Sequence, residues 1–172
     1  MSNPTPVHRY FAGLAENTFQ AQLGIVDPPM VDYVSDLLIR FIRSDVVHRI
    51  RGVSGKPLMS VPEMVSEAKE RLGDAQREIH QHIGDFTLFW AGVYPEALKG
   101  NDSEQFDRYR EHGKRSYRIA SAIEGDRDDS APSSVLERLS DRFDLCCYGL
   151  REVRRQWESG DDSFGPGSIL LN

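Results

Sequence analysis

A chain of 172 residues with 39% hydrophobic and 28% charged side chains can bury one sizeable core, and that composition excludes wholesale disorder. Its formal net charge of −6 excludes a general nucleic-acid binder, because affinity for phosphate backbones rests on a basic field. The most apolar run, residues 86–94, falls well short of the ~20 residues a membrane span needs, so no membrane partner is expected.

The N-terminal residues show no apolar secretory segment, and the reading is a soluble, cytoplasmic protein. Cys146 and Cys147 are adjacent. Neighbours on one helix point about 100° apart and cannot bridge each other, which suits a reducing compartment.

Helix start and stop signals recur along the chain. Thr5 and Pro6 form an N-cap followed by proline at the first helical position, and Gly24 supplies a stop. Asp27, Pro28 and Pro29 open a second helix that runs to about Ile50, ahead of a loop carrying Gly52, Gly55 and Pro57. Ser60 and Glu63 have capping-box spacing and open a third helix, which Pro95 closes and which could bend or break at Gly73, Gly84 or Gly92. A fourth starts near Asp102 and Ser103 and stops around Gly125. Ser134 and Glu137 form a second capping box for a fifth, closing at Gly160.

Periodicity agrees with these signals. The third helix carries Val61, Val65, Ala68, Leu72, Ala75, Ile79, His82, Phe86, Phe89 and Val93 at spacings of four and three. The fifth repeats that rhythm through Leu136, Leu139, Phe143, Cys146, Leu150, Val153 and Trp157. Such spacing is the mark of near-parallel helices packing knobs into holes, and no comparable period-two run suggests a strand. The expected fold is all-α, a single-domain antiparallel helical bundle of four to five helices over residues 1–160, with a flexible tail over 161–172. On the fourth helix Gly113, Ser116 and Ala120 form a small-residue seam, with Phe86, Phe89 and Trp90 as the expected bulky partners.

Ligand-capable residues concentrate at the middle of the third helix. At 100° per residue, Glu78 and Asp85 fall on one flank of His82, while Ile79 and Phe86 fall on the other. His80 points almost directly away and is expected in solvent. Glu78, His82 and Asp85, with His112 from the fourth helix, are therefore the candidate metal ligands, with Glu16 and Tyr117 nearby candidates. Iron or haem would be the cofactor in that case. No Glu-x-x-His motif of the ferritin-like di-iron type occurs, nor any Cys-x-x-Cys-His haem attachment. The competing expectation is a core histidine held in register by a carboxylate, with no cofactor.

Other features carry less chemistry. Cys146 lies on an apolar seam and reads as a small buried hydrophobe. The loop with Gly52, Gly55 and Lys56 departs from a phosphate loop: it follows a helix, lacks the first glycine, and has Pro57 where Ser or Thr would hold magnesium. Arg40, Arg43, His48, Arg49, Arg51 and Lys56 make a basic stretch that complements a helix C-terminus. The acidic segments 124–129 and 158–162 could pair with it within or between chains.

Residues 165–172 form an apolar tip after a Gly/Ser/Pro linker. Gly167, Ser168, Ile169 and Leu170 make it resemble the C-terminal loading peptides of encapsulin nanocompartment cargo, over under a tenth of the chain and without a second Gly-Ser element. That resemblance implies targeting to a shell. With no complete catalytic motif, the expectation is a non-enzymatic protein-interaction or scaffold protein with a protein partner or self-association. A bundle metalloprotein and a compartment cargo are the alternatives.

Overall fold

The computed structural model describes residues 5–42, 60–99, 103–128 and 130–160. These form helices and connections, with no strand among the described residues. The all-α reading therefore holds, but the described residues make eight α-helices rather than four or five.

Helix α1 (Pro6–Glu16) begins where Thr5 Oγ1 accepts from the His8 backbone N–H at 3.2 Å. It passes directly into a π-helical segment, Asn17–Gln22, where Leu23 N donates to Thr18 O at 3.0 Å. Each π turn carries more residues than an α turn, which re-aims the side chains that follow. Here the segment buries Phe19 against Gly149, a position that has no room for a side chain.

Helix α2 (Pro28–Ile42) is capped by Asp27, which accepts from Met30 N at 3.3 Å. Arg138 grips the same carboxylate with two nitrogens, at 2.6 and 3.1 Å, tying the start of α2 to a distant helix. The residues expected to extend α2 to about Ile50, and the glycine loop after it, lie outside the described residues.

The expected long third helix is two helices. Helix α3 (Val61–Lys69) has the full capping box, with Ser60 and Glu63 exchanging hydrogen bonds of 3.3 Å. It ends at Glu70, and α4 (Gly73–Val93) starts at a glycine with φ of 60°, a conformation that favours glycine. Leu72, placed on the seam by periodicity, sits in the turn and is 85% exposed.

A short helix α5 (Pro95–Lys99) leads to α6 (Ser103–Ala122), whose bounds match the expected fourth helix. The expected fifth helix is again two, α7 (Ser133–Asp141) and α8 (Phe143–Ser159), joined at Arg142. Helix α7 starts one residue before Ser134 with Pro132 at its cap position, so the second capping box does not form. The break leaves the seam in place: Leu136, Leu139, Phe143, Cys146, Leu150 and Val153 are all buried.

Helix α4 is the centre of the molecule, packed on α3, α5, α6 and α8 and touching α2. It runs antiparallel to α6: His80 meets Ser116, Gly84 meets Tyr117, Thr87 meets Gly113 and Phe86 meets Tyr109. The small seam of α6 thus receives Thr87 and, from α8, Phe143 rather than the expected Phe89 and Trp90. Phe89 instead stacks on Phe41 of α2 at 5.1 Å between ring centres.

Because α4 is surrounded, the expectation that His80 is solvated fails. Its ring is buried, with Nδ1 3.4 Å from Ser116 Oγ. A helix with a single buried face would leave His80 in solvent, whereas a central helix has several buried faces.

Candidate functional site

Asp85, the most deeply buried carboxylate of α4, is 2% exposed and serves as a hub for three helices. Tyr33 of α2 and Tyr117 of α6 each donate a hydroxyl to Oδ1 at 2.7 Å. Arg40, seven residues after Tyr33 on α2, donates from Nη2 to Oδ2 at 3.2 Å. One turn before Asp85 on α4, Gln81 donates to the Tyr33 hydroxyl at 2.9 Å. The i, i+4 and i, i+7 spacings place each pair on one helical face, so two short segments build the hub.

The electrostatics follow from burial. Burial of its hydroxyl raises the pKa of Tyr117 well above the ordinary phenol value, and the adjacent Asp85 charge adds to it. The same causes, in the same order, raise Tyr33. Both phenols therefore stay protonated and donate. Burial is the largest single influence on Arg40 and works against its charge, but Asp85 and the two neighbouring phenols together outweigh it, and the guanidinium is held more firmly charged. Two hydroxyls and a cation on one carboxylate is the arrangement that makes a buried charge tolerable.

The hub floors one end of a cleft of about 510 Å³ beside the N-terminal half of α4. Four arginines line it: Arg40 of α2, Arg71 of the α3–α4 turn, Arg77 of α4, and Arg127 of the α6–α7 connection. Arg77 is 3% exposed and donates to Ile123 O at 2.9 Å, Ala131 O at 2.6 Å and Ser133 Oγ at 3.3 Å. It thereby pins the end of α6 to the start of α7. Arg71 pairs with Glu67 at 2.7 Å and Arg127 with Glu78 at 2.5 Å.

Three of the four residues singled out as metal ligands, Glu78, His82 and Asp85, line this cleft, and His112 does not. Their side chains have other work. Glu78 is exposed and engaged by Arg127, and Asp85 is the hub. His82 is buried and stacks on Phe41 with ring centres 5.9 Å apart, Phe86 lying beyond at 6.3 Å. His112 is half-buried on α6, its pKa lowered by burial and by Arg115. Among the described residues no three His, Cys, Asp or Glu side chains are placed to hold a metal ion.

Of the wider candidates, Tyr117 proved to be a hub residue, whereas Tyr33, Gln81, Arg77 and Arg127 escaped sequence reasoning. Tyr33 and Gln81 carried a usable signal in their spacing to Arg40 and Asp85. Arg77 and Arg127 carried none, because their roles depend on a connection folding back across α4. The thiols of Cys146 and Cys147 are both buried, and burial pushes the Cys146 pKa up to about 12 and that of Cys147 higher still. Neither is a ready nucleophile.

No protein-family model, no curated protein and no solved structure matches this chain. Among the described residues no helix is long and apolar enough to cross a membrane.

Proposed function

We propose that this protein is a non-enzymatic binding module whose working site is the arginine-lined cleft above Asp85. The observation that carries this reading is the cleft itself: about 510 Å³ of space beside the central helix, floored by a hub that fixes its shape. Ligand sites typically enclose about 300–1,000 Å³ on a largely preformed scaffold. The two thiols and Asp85, which could do covalent or acid–base chemistry, are committed elsewhere. The thiols are buried, and Asp85 already accepts from three donors.

The volume of the cleft is that of a small-ligand site. The basic stretch suggested as a docking surface lies mostly outside the described residues, and its first member, Arg40, turns inward to Asp85. The encapsulin-like tail, residues 161–172, also lies outside them. Cytoplasmic residence goes with this reading, since both cysteines are free thiols in the core.

Titrating the folded protein with a chemically diverse set of small metabolites, followed by amide resonances, tests the assignment. A binder should shift Ile79, Gln81 and His82 and leave Tyr148, on the exposed face of α8, unmoved. A ligand that shifts only residues remote from the cleft, or one that is chemically converted, would sink the proposal.

A further inference from the structure

We propose that the ligand of this cleft is a small organic anion, a carboxylate or phosphate compound held by the forks of Arg40, Arg71 and Arg127; this rests on the cleft being the binding site. Every basic side chain lining the cleft other than His82 is an arginine, in a chain whose formal net charge is −6. Arginine presents a planar fork of donors that matches carboxylate and phosphate oxygens in pairs, which lysine cannot do.

The cleft's acids are already occupied, whereas its arginines have donors to spare. Asp74 accepts the backbone N–H of Asp126 at 3.1 Å, Glu78 is paired with Arg127, and Asp85 is the hub. Arg40 and Arg127 each reach their carboxylate through one nitrogen, Nη2 and Nη1 respectively. Arg71 meets Glu67 through Nε and Nη2. A guanidinium carries five N–H donors, so among the described residues each of the three keeps donors to spare.

Arg77 adds a fixed charge behind them. It is buried, its bonds run to neutral oxygens, and no carboxylate among the described residues lies within ion-pairing distance. A buried cation of that kind makes the adjacent space favourable for an anion.

Glu78 acts as the internal competitor. Both it and Arg127 are more than half exposed, at 56% and 62%. An ion pair that open to water is worth at most about 1 kcal/mol, so a ligand oxyanion can displace Glu78 from Arg127. The cleft's dimensions select a small molecule rather than an extended polyanion, whose contacts would need a broad basic surface.

Calorimetric titration of the full chain at low ionic strength, with citrate and pyrophosphate as the carboxylate and phosphate probes, tests this. Glucose and spermidine serve as neutral and cationic controls. Saturable binding of one or both anions, weakened by added salt, is the expected result, and the probe that binds identifies the class. The double variant Arg71→Gln/Arg127→Gln should bind about tenfold more weakly or worse, and Glu78→Gln should bind about two- to fivefold more tightly.

Absence of anion binding overturns the proposal, as does anion binding that neither variant alters. If glucose or spermidine shifts the Ile79 and Gln81 amides while the anions do not, the cleft remains a binding site and only its anionic ligand is refuted. If no probe moves those amides, both readings fall.

Discussion

Tyr117 and Asp85 are joined twice over, once by chemistry and once by shape. The Tyr117 hydroxyl donates to Asp85 Oδ1 at 2.7 Å, while its ring packs against Gly84, the residue immediately before Asp85. The hydrogen bond is possible because glycine lets α6 approach α4 closely enough for the phenol to reach past the backbone. Removing either the acceptor or the gap should therefore weaken the same joint.

Replacing Asp85 by alanine would strand two phenol hydroxyls and Arg40 without their acceptor. Arg40 keeps some solvent contact, with 34% of its side chain exposed, so the loss should fall below that of a fully enclosed pair. A loss of about 2–3 kcal/mol in urea denaturation is expected, with Asp85→Asn milder because one oxygen still accepts. An Asp85→Ala protein as stable as the parent would show that the hub contributes nothing.

Gly84→Ala tests the gap. A Cβ there would lie 2.5 Å from Tyr117 Cδ1, a distance no real contact tolerates, so the ring or α6 must move. The expected cost is about 1–3 kcal/mol, despite a gain of about 1 kcal/mol from alanine's better helix propensity. Gly13→Ala is the control: it lies in α1, where a Cβ meets nothing within 4 Å, and should raise the melting temperature slightly.

The buried thiols and phenols set an alkaline limit. Cys146 is pushed up to about 12 in the folded state, and Tyr33 and Tyr117 are raised above ordinary phenols. Groups with raised folded pKa values contribute stability that is complete below their unfolded values and declines as pH rises toward the folded ones. Stability should thus hold to a pH of about 8.5 and fall steadily above it, where thiols in the unfolded chain begin to ionise. Denaturation midpoints measured from pH 7 to 11 check this, and Cys146→Ala should flatten the first part of the decline. A midpoint constant to pH 11 would contradict it.

A metal bound by Glu78, His82, Asp85 and His112 would have to take Asp85 from two tyrosines and an arginine, and His112 does not line the cleft that the other three share. The expected outcome of elemental analysis on freshly purified protein is no stoichiometric iron or zinc. Added ferrous iron or haem should leave the melting temperature unchanged. A metal content near one per chain, lost on Asp85→Asn, would establish the metalloprotein reading instead.

Much of the fold was readable because helix signals are local. Thr5, Ser60 and Glu63 make the hydrogen bonds their positions imply, and the apolar residues of α8 stay on one buried face across the break at Arg142. Helix number was harder to read. An unbroken three–four rhythm runs through both the Glu70–Gly73 turn and Arg142, so periodicity alone merges helices that the backbone separates. Of the three glycines where the third helix could break, Gly73 is the one that does, with a positive φ.

The candidate site was half legible. Periodicity placed His82 and Asp85 beside one another on a buried stretch of α4, and both line the cleft. Their partners were not legible, since Tyr33 and Arg40 lie more than forty residues away in the chain and their choice of Asp85 depends on how α2 crosses α4.

The sequence by itself determined that this chain is helical, where several of its helices begin, and which faces are apolar, because capping and amphipathicity act within a turn or two of chain. Only the tertiary structure decided that α4 is enclosed on several sides, that His80 is therefore buried, and that Asp85 answers to two tyrosines and an arginine rather than to His82. Those outcomes rest on contacts between distant segments, where burial makes each polar group take whichever partner the packing brings within reach.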